Sequence, residues 1–195
     1  MAIPIGRRLF LQRSANLLGL TGLLLTSCSS TSKGSTSGKT SGTTMKLEST
    51  AFTANGMIPS LYTCDGQDIS PELRWDAPPT GTESLALIVD DPDAPGRTFV
   101  HWVVYDLPPE IHHLPQAIAP QATTPSGGVQ GKNDFGKLGY GGPCPPSGIH
   151  RYFFKLYALD RELGLKSGAT KAQLEAAMSG HILASAELIG RYSRS

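Results

Sequence analysis

Two histidines and one carboxylate define the chemistry open to this chain. Asp91 ends the run Ser84–Asp91 in phase with Leu85, Leu87 and Val89, so on a strand it projects from the same face as those apolar residues. By the same alternation His101 shares a face with Phe99, Val103 and Tyr105, and His150 shares one with Tyr152 and Phe154. Imidazoles donate and accept hydrogen bonds and take up protons near neutral pH, and a neighbouring carboxylate favours the imidazolium form. Taken singly, each residue has an ordinary reading: a strand-end Asp forms a turn, and a His among aromatics is a hydrogen-bonded core residue. Taken together they admit a general acid/base set for a hydrolase or a two-His, one-carboxylate metal triad. No Ser or Cys stands in a recognisable activating motif. His112 and His113, beside Leu114-Pro115, read as a solvated loop.

The elements that must position these groups are mainly strands. Ser84–Asp91 is apolar on both phases and is stopped by Pro92, as expected of a buried strand. Phe99–Leu107 and His150–Leu159 are rich in aromatic and β-branched residues. One helix is expected: Thr170 caps it, Gln173 completes a capping box, Leu174 and Met178 face one way, and Gly180 ends it. A closing strand follows over Ile182–Tyr192. Long Pro- and Gly-rich connections, Pro71–Gly81 and Gly127–Gly148, lie between them, and ordered loops of that length tend to carry function. Gly131 to Lys137 opens like a phosphate-binding P-loop, but Leu138 stands where a Ser or Thr hydroxyl would meet Mg²⁺, and no helix is expected to follow.

The first 44 residues have a different character. Arg7-Arg8 precede Leu9-Phe10-Leu11, and Leu17 to Leu25 is a short apolar stretch ending in Thr26-Ser27-Cys28, the layout of an export signal. The stretch is about half of the roughly 20 residues needed to span a bilayer as a helix. Arg7-Arg8-Leu9-Phe10-Leu11 is similar to a twin-arginine motif, with Gly6 and Gln12 departing from the usual flanks, and Leu25-Thr26-Ser27-Cys28 resembles a lipobox. The lipobox implies that Cys28 is acylated and becomes the mature N-terminus; the alternative is an ordinary signal cut nearby with Cys28 incidental. Ser29 to Thr44 contains only Ser, Thr, Gly and Lys, a tether with a root-mean-square reach of about 20–24 Å. The expected organisation is a signal over 1–28, a disordered tether over 29–44 and one domain over 45–195. The expected location is the cell envelope, as a lipoprotein on the outer side of the cytoplasmic membrane or in the periplasm or outer membrane.

Charge and cysteine count narrow the options. With Arg7, Arg8, Arg13, Lys33 and Lys39 set aside, 12 basic residues face 16 acidic ones, a net charge of −4 from Met45 onward. An acidic domain without a basic run lacks the main source of affinity for a nucleic-acid backbone. Assigning Cys28 to lipid leaves Cys64 and Cys144 as a disulfide pair in an exported protein, with two buried thiols as the alternative.

Several longer motifs go beyond this residue-by-residue reading. Asp91-Pro92-Asp93-Ala94-Pro95-Gly96-Arg97, His101-Trp102 and Gly148-Ile149-His150-Arg151-Tyr152, in that order and spacing, resemble the bacterial branch of the phosphatidylethanolamine-binding protein family, also called Raf kinase inhibitor-like proteins. Tyr62-Thr63-Cys64-Asp65-Gly66, Ser70-Pro71-Glu72-Leu73, Asn133-Asp134-Phe135 and Tyr140-Gly141-Gly142-Pro143-Cys144-Pro145-Pro146 extend the likeness over about Met45 to Tyr192. The resemblance implies a mostly β fold, with a central antiparallel sheet packed on a smaller sheet and few peripheral helices. It also implies a small pocket for phosphate-type anions at Asp91, His101, His150 and Tyr152, with Asp93, Pro95 and Trp102 beside them. Eukaryotic members carry a further C-terminal helix against the pocket, whereas this sequence stops at Ser195, so a more open pocket is expected. The resulting expectation is a non-catalytic binding domain without cofactor or resident metal, held to a membrane through Cys28. Its expected ligand is a small phosphorylated or other anion, with a protein partner or homodimer as further options. An inhibitor module acting through its loops, and a hydrolase using Asp91, His101 and His150, are the alternatives.

Overall fold

The run Ser84–Asp91 is apolar on both phases, and a strand of that kind can only sit where both its faces are covered. The computed structural model, which describes residues 45–194, places it at the centre of a five-stranded antiparallel sheet with every residue buried. In chain order the strands are β1 (Leu47–Glu48), β2 (Leu73–Trp75), β3 (Ser84–Asp91), β4 (Phe99–Leu107), β5 (His113–Leu114), β6 (Val129–Gln130), β7 (His150–Leu159) and β8 (Ile182–Tyr192), with one helix, α1 (Lys171–Met178), between the last two. The large sheet has the order β6-β4-β3-β7-β8, and the small one β1-β2-β5. The signal, the tether and Cys28 lie outside the described residues.

Two apolar cores follow from the alternation of β3. Leu85, Leu87 and Val89 pack with Trp102, Phe154 and Leu156, under the small sheet's Leu47, Leu73 and Leu114. Ala86 and Ile88 face the other way, toward Val103 and Tyr105, and are covered by Leu174 and Met178 of α1. The helix begins with the expected capping box, Thr170 and Gln173 satisfying each other's backbone N–H groups. Among the described residues the mostly β expectation therefore holds, with one α-helix and one short 3₁₀ turn at Ser60–Tyr62. His113 departs from its solvated-loop reading only in pairing with Arg74 as part of β5; it remains exposed. The P-loop-like segment is a tight turn in which Asn133 accepts from the Lys137 N–H, with no helix after it.

One irregularity matters for the site. Val89 pairs with Trp102, whereas the next residue, Asp90, pairs with Val100, so His101 is an extra residue in β4. Such a bulge shifts the phase of a strand by one. His101 therefore does not share a face with Val103 and Tyr105, as simple alternation would have it. Both His101 and Trp102 turn toward the face of Val89 and Asp91, while Val103 and Tyr105 line the opposite core.

Candidate anion-binding pocket

Because β3 runs antiparallel to both neighbours, its C-terminal end lies beside the N-terminal ends of β4 and β7. This brings Asp91, His101 and His150 together from three strands. They line a cavity of about 250 Å³ with Pro95 and Ala94 of the turn after β3. The rest of its wall is Phe99, Phe135 and the Cys144-Pro145-Pro146 segment. The volume is below the roughly 300–1,000 Å³ of drug-sized pockets, and the walls are largely apolar.

The polar groups are held tightly. The His150 Nδ1–H donates to Asp91 Oδ2 at 2.7 Å, and the other Asp91 oxygen accepts the Asp93 N–H at 2.8 Å. The His101 Nδ1 lies 2.7 Å from the Gly141 carbonyl, an acceptor, so this nitrogen carries the proton. Burial holds the His101 imidazole below its ordinary titration range, against the opposing pull of the Gly141 carbonyl and of Asp91. At neutral pH His101 is thus an uncharged ring whose Nε2 has a free lone pair. Each histidine commits one nitrogen to the protein, and neither Nε2 has a hydrogen-bond partner among the described residues.

No Lys or Arg lines the cavity. The two arginines nearest in sequence are engaged outside it, Arg97 with Asp134 at 2.7 Å and Arg151 with Asp93 through side-chain bonds of 2.7 and 2.9 Å. Positive charge in the cavity can come only from its imidazoles. The lining also offers no hydroxyl and no free thiol, because Cys144 is bonded to Cys64. Among the described residues no group of three His, Cys, Asp or Glu is placed to hold a metal ion, so the triad alternative lacks its geometry.

Three of the expected site residues are not in this wall. Trp102 turns into the core, donating its indole N–H to Gln130 Oε1 at 2.9 Å and packing edge-on against Tyr140. Asp93 faces away, held by Arg151, which keeps its carboxyl down at about pH 2. Tyr152 stands behind His101, the two rings edge-to-face at 5.2 Å. Its hydroxyl is buried without a partner among the described residues, and burial, with the negative charge of Asp91, keeps it protonated far above the usual phenol range.

Conversely, the loop walls carry no strand or helix periodicity. Phe135 packs edge-on against Phe99 at 4.8 Å and against His101 at 5.6 Å. The loop that provides the Gly141 carbonyl needs glycine: a Cβ on Gly141 would stand 2.5 Å from the Phe135 ring, and one on Gly142 2.4 Å from the Tyr62 carbonyl oxygen. The signal for this wall is the string Gly141-Gly142-Pro143-Cys144-Pro145-Pro146, two close-approach glycines followed by a cross-linked, conformationally restricted edge. The Cys64–Cys144 disulfide, with Cα atoms 5.4 Å apart, fastens that edge to the turn after the 3₁₀ element. Closing 80 residues stabilises by up to about 4.5 kcal/mol in the chain-entropy account.

Comparison with known proteins places this geometry. The chain is 54% identical over 150 residues to a protein of Methanothermobacter thermautotrophicus, covering 77% of this chain and 99% of the relative. It is 52% identical over 156 residues to one of Aquifex aeolicus, covering 78% and 91%; both relatives are described as UPF0098 proteins. Among solved structures, a phosphatidylethanolamine-binding-protein homologue from Chlamydia trachomatis superposes with a TM-score of 0.72 at 43% identity, over 78% of this chain and 99% of that one. Escherichia coli YbcL, described as a member of the mammalian family of that name, gives 0.73 at 33% identity, over 77% and 99%. The sequence profile of the same family matches residues 48–193, nearly the whole described domain, and the chain accordingly belongs to the phosphatidylethanolamine-binding protein family.

Proposed function

We propose that the domain binds, without turning it over, a small phosphate-type anion or phosphorylated head group between His101 and His150. The observation that carries this reading is the pair of free Nε2 atoms in a small apolar cavity that has no fixed cation. Such a pair does not hold a fully deprotonated anion. It accepts a proton from a monoprotonated phosphate or, with the dianion, takes one up from solvent; above the phosphate's second pKa of about 6, where the free ligand is mostly dianion, the complex contains one proton more than its separated parts. Affinity therefore falls as pH rises through neutrality. The absence of a nucleophile in the lining supports binding over hydrolysis. The family name, which refers to a phosphorylated head group, supports the ligand class.

Titration calorimetry with propyl phosphate on the wild type, His101→Ala and His150→Ala tests this. Losing one charge-assisted hydrogen bond costs about 1.5–3 kcal/mol, so each variant weakens binding about tenfold or more. Equal affinities in all three proteins, or an affinity that climbs from about pH 6 to about pH 8, would show that the histidines serve the core instead.

We further propose that the domain works at a membrane surface of the cell envelope, tethered through acylated Cys28 after export. The motif Leu25-Thr26-Ser27-Cys28 followed by the Ser29 to Thr44 tether supports this. Cell fractionation should find the wild type with membranes and Cys28→Ser released or unprocessed; a fully soluble mature wild type overturns it.

A further inference from the structure

Arg151 and Arg191 stand directly opposite one another on β7 and β8. Like charges in that position repel. Asp93 neutralises Arg151, accepting from its backbone N–H, Nε and Nη2 at 2.7–2.9 Å. Arg191 has no such relief: it forms no ion pair among the described residues and its side chain is exposed. Its backbone is nonetheless fixed on its outer edge, its N–H donating to the Gly56 carbonyl at 2.9 Å and its own carbonyl accepting from Ile58 at 2.7 Å. An uncompensated guanidinium thus extends from a fixed stretch of backbone on a domain whose net charge from Met45 onward is −4.

The two arginines open onto a second depression of about 710 Å³, with Asn55, Asp93 and Ser147 among its polar walls. With two arginines against one carboxylate, its walls carry a net charge of +1 before His150 is counted. His150 lines both this depression and the imidazole cavity, so the two are adjacent at that residue. The first is small and largely apolar; the second is wider, polar and positively charged.

Resting on the pocket reading above, we propose that the natural ligand is a molecule with two anionic groups, one held by His101 and His150 and the other by Arg191 in the adjoining depression. Asn55 and Ser147 supply hydrogen bonds beside the guanidinium. The second depression also has the exposed Ile149 in its wall, so it is its charge that fits an anionic group. Joining two anionic groups makes capture of the second intramolecular, so affinity rises once the linker matches the span.

The test uses the full chain and three probes at one ionic strength: propyl phosphate, propane bisphosphate and hexane bisphosphate. A symmetrical bisphosphate gains about twofold merely from having two equivalent ends, so only a larger gain counts. At least one bisphosphate should bind about tenfold more tightly than propyl phosphate. Arg191→Gln should remove that gain while leaving propyl phosphate binding unchanged, and Arg191→Lys should keep part of it. A gain within about twofold for both bisphosphates, or one that persists in Arg191→Gln, overturns the second subsite and leaves the pocket reading standing. If none of the three probes binds the wild type, the pocket reading fails and the second subsite with it.

Discussion

Asp90 and Asp91 are adjacent, identical and both buried, yet they end in opposite situations because a strand sends successive side chains to opposite faces. Asp90 points toward the helix-covered core. Lys155 Nζ donates to both of its oxygens at 2.8 and 3.1 Å, and Lys171 Nζ, from the first residue of α1, donates at 2.5 Å. These ammonium groups come from flexible stems, and between them they satisfy the carboxylate. Asp91 points toward the cavity, where its counterpart is an imidazole. An imidazole has a second nitrogen, so pairing it with a carboxylate orients it without using it up. The same dipeptide thus closes one face of the sheet and leaves the other able to bind. A buried charge becomes a site when its partner retains an unused, titratable atom; saturation by lysine yields a tie between helix and sheet.

The comparison breaks most visibly on the lysine side. Lys155→Met with Lys171→Met would leave the Asp90 carboxylate, whose side chain is 0% exposed, without a counter-charge. Removing the partners of a buried charge costs about 3–5 kcal/mol. Urea unfolding at neutral pH should record a loss of that size in the double variant and less in either single one. Adding Asp90→Leu to the double variant should recover most of it, since well-packed apolar replacements of buried ion pairs are often neutral. Propyl phosphate affinity should stay at the wild-type level throughout. A double variant within about 1 kcal/mol of wild type would mean that Asp90 does not need its lysines, and the contrast between the two faces would collapse.

This contrast was only partly legible in the sequence. The four long strands carry their own signals, and their bounds coincide with the apolar and aromatic runs Ser84–Asp91, Phe99–Leu107, His150–Leu159 and Ile182–Tyr192. The capping box and the cysteine pair were legible for the same reason, since each is a local pattern or a count. The two-residue strands β1, β5 and β6 have no periodicity of their own and exist through the partners they pair with. Alternation put Asp91 and His150 on the right face and Phe99 beside His101, but wrongly added Val103 and Tyr105 to that face, because the inserted residue of a bulge looks like any other until its partner strand is known. Family motifs pointed to Trp102, Asp93 and Tyr152, which stand behind or beside the cavity. Phe135, Pro145 and Pro146 enter from loops, where placement depends on the disulfide and on the glycine contacts, both tertiary facts.

The smaller effect concerns the imidazole side and can be read without any ligand. His101 is held neutral by burial, so its pKa in the fold lies below that of the unfolded chain, where a histidine takes its proton near about pH 6.5. Above that pH both states are neutral at this position and it contributes no pH dependence. As pH falls below it, the unfolded chain binds a proton that the fold does not, and stability drops by at most about 1.4 kcal/mol per pH unit until the folded value is reached. His101→Gln keeps an N–H for the Gly141 carbonyl but does not titrate. Urea midpoints for both proteins should run parallel between about pH 8 and about pH 7 and then diverge, the wild type falling faster toward about pH 5. Saturating propyl phosphate should shrink or reverse that divergence, because an anion on Nε2 favours the protonated ring. Parallel midpoints down to about pH 5 would show that His101 has the same proton affinity folded and unfolded, and its free nitrogen would then lose its claim to take up a proton when an anion binds.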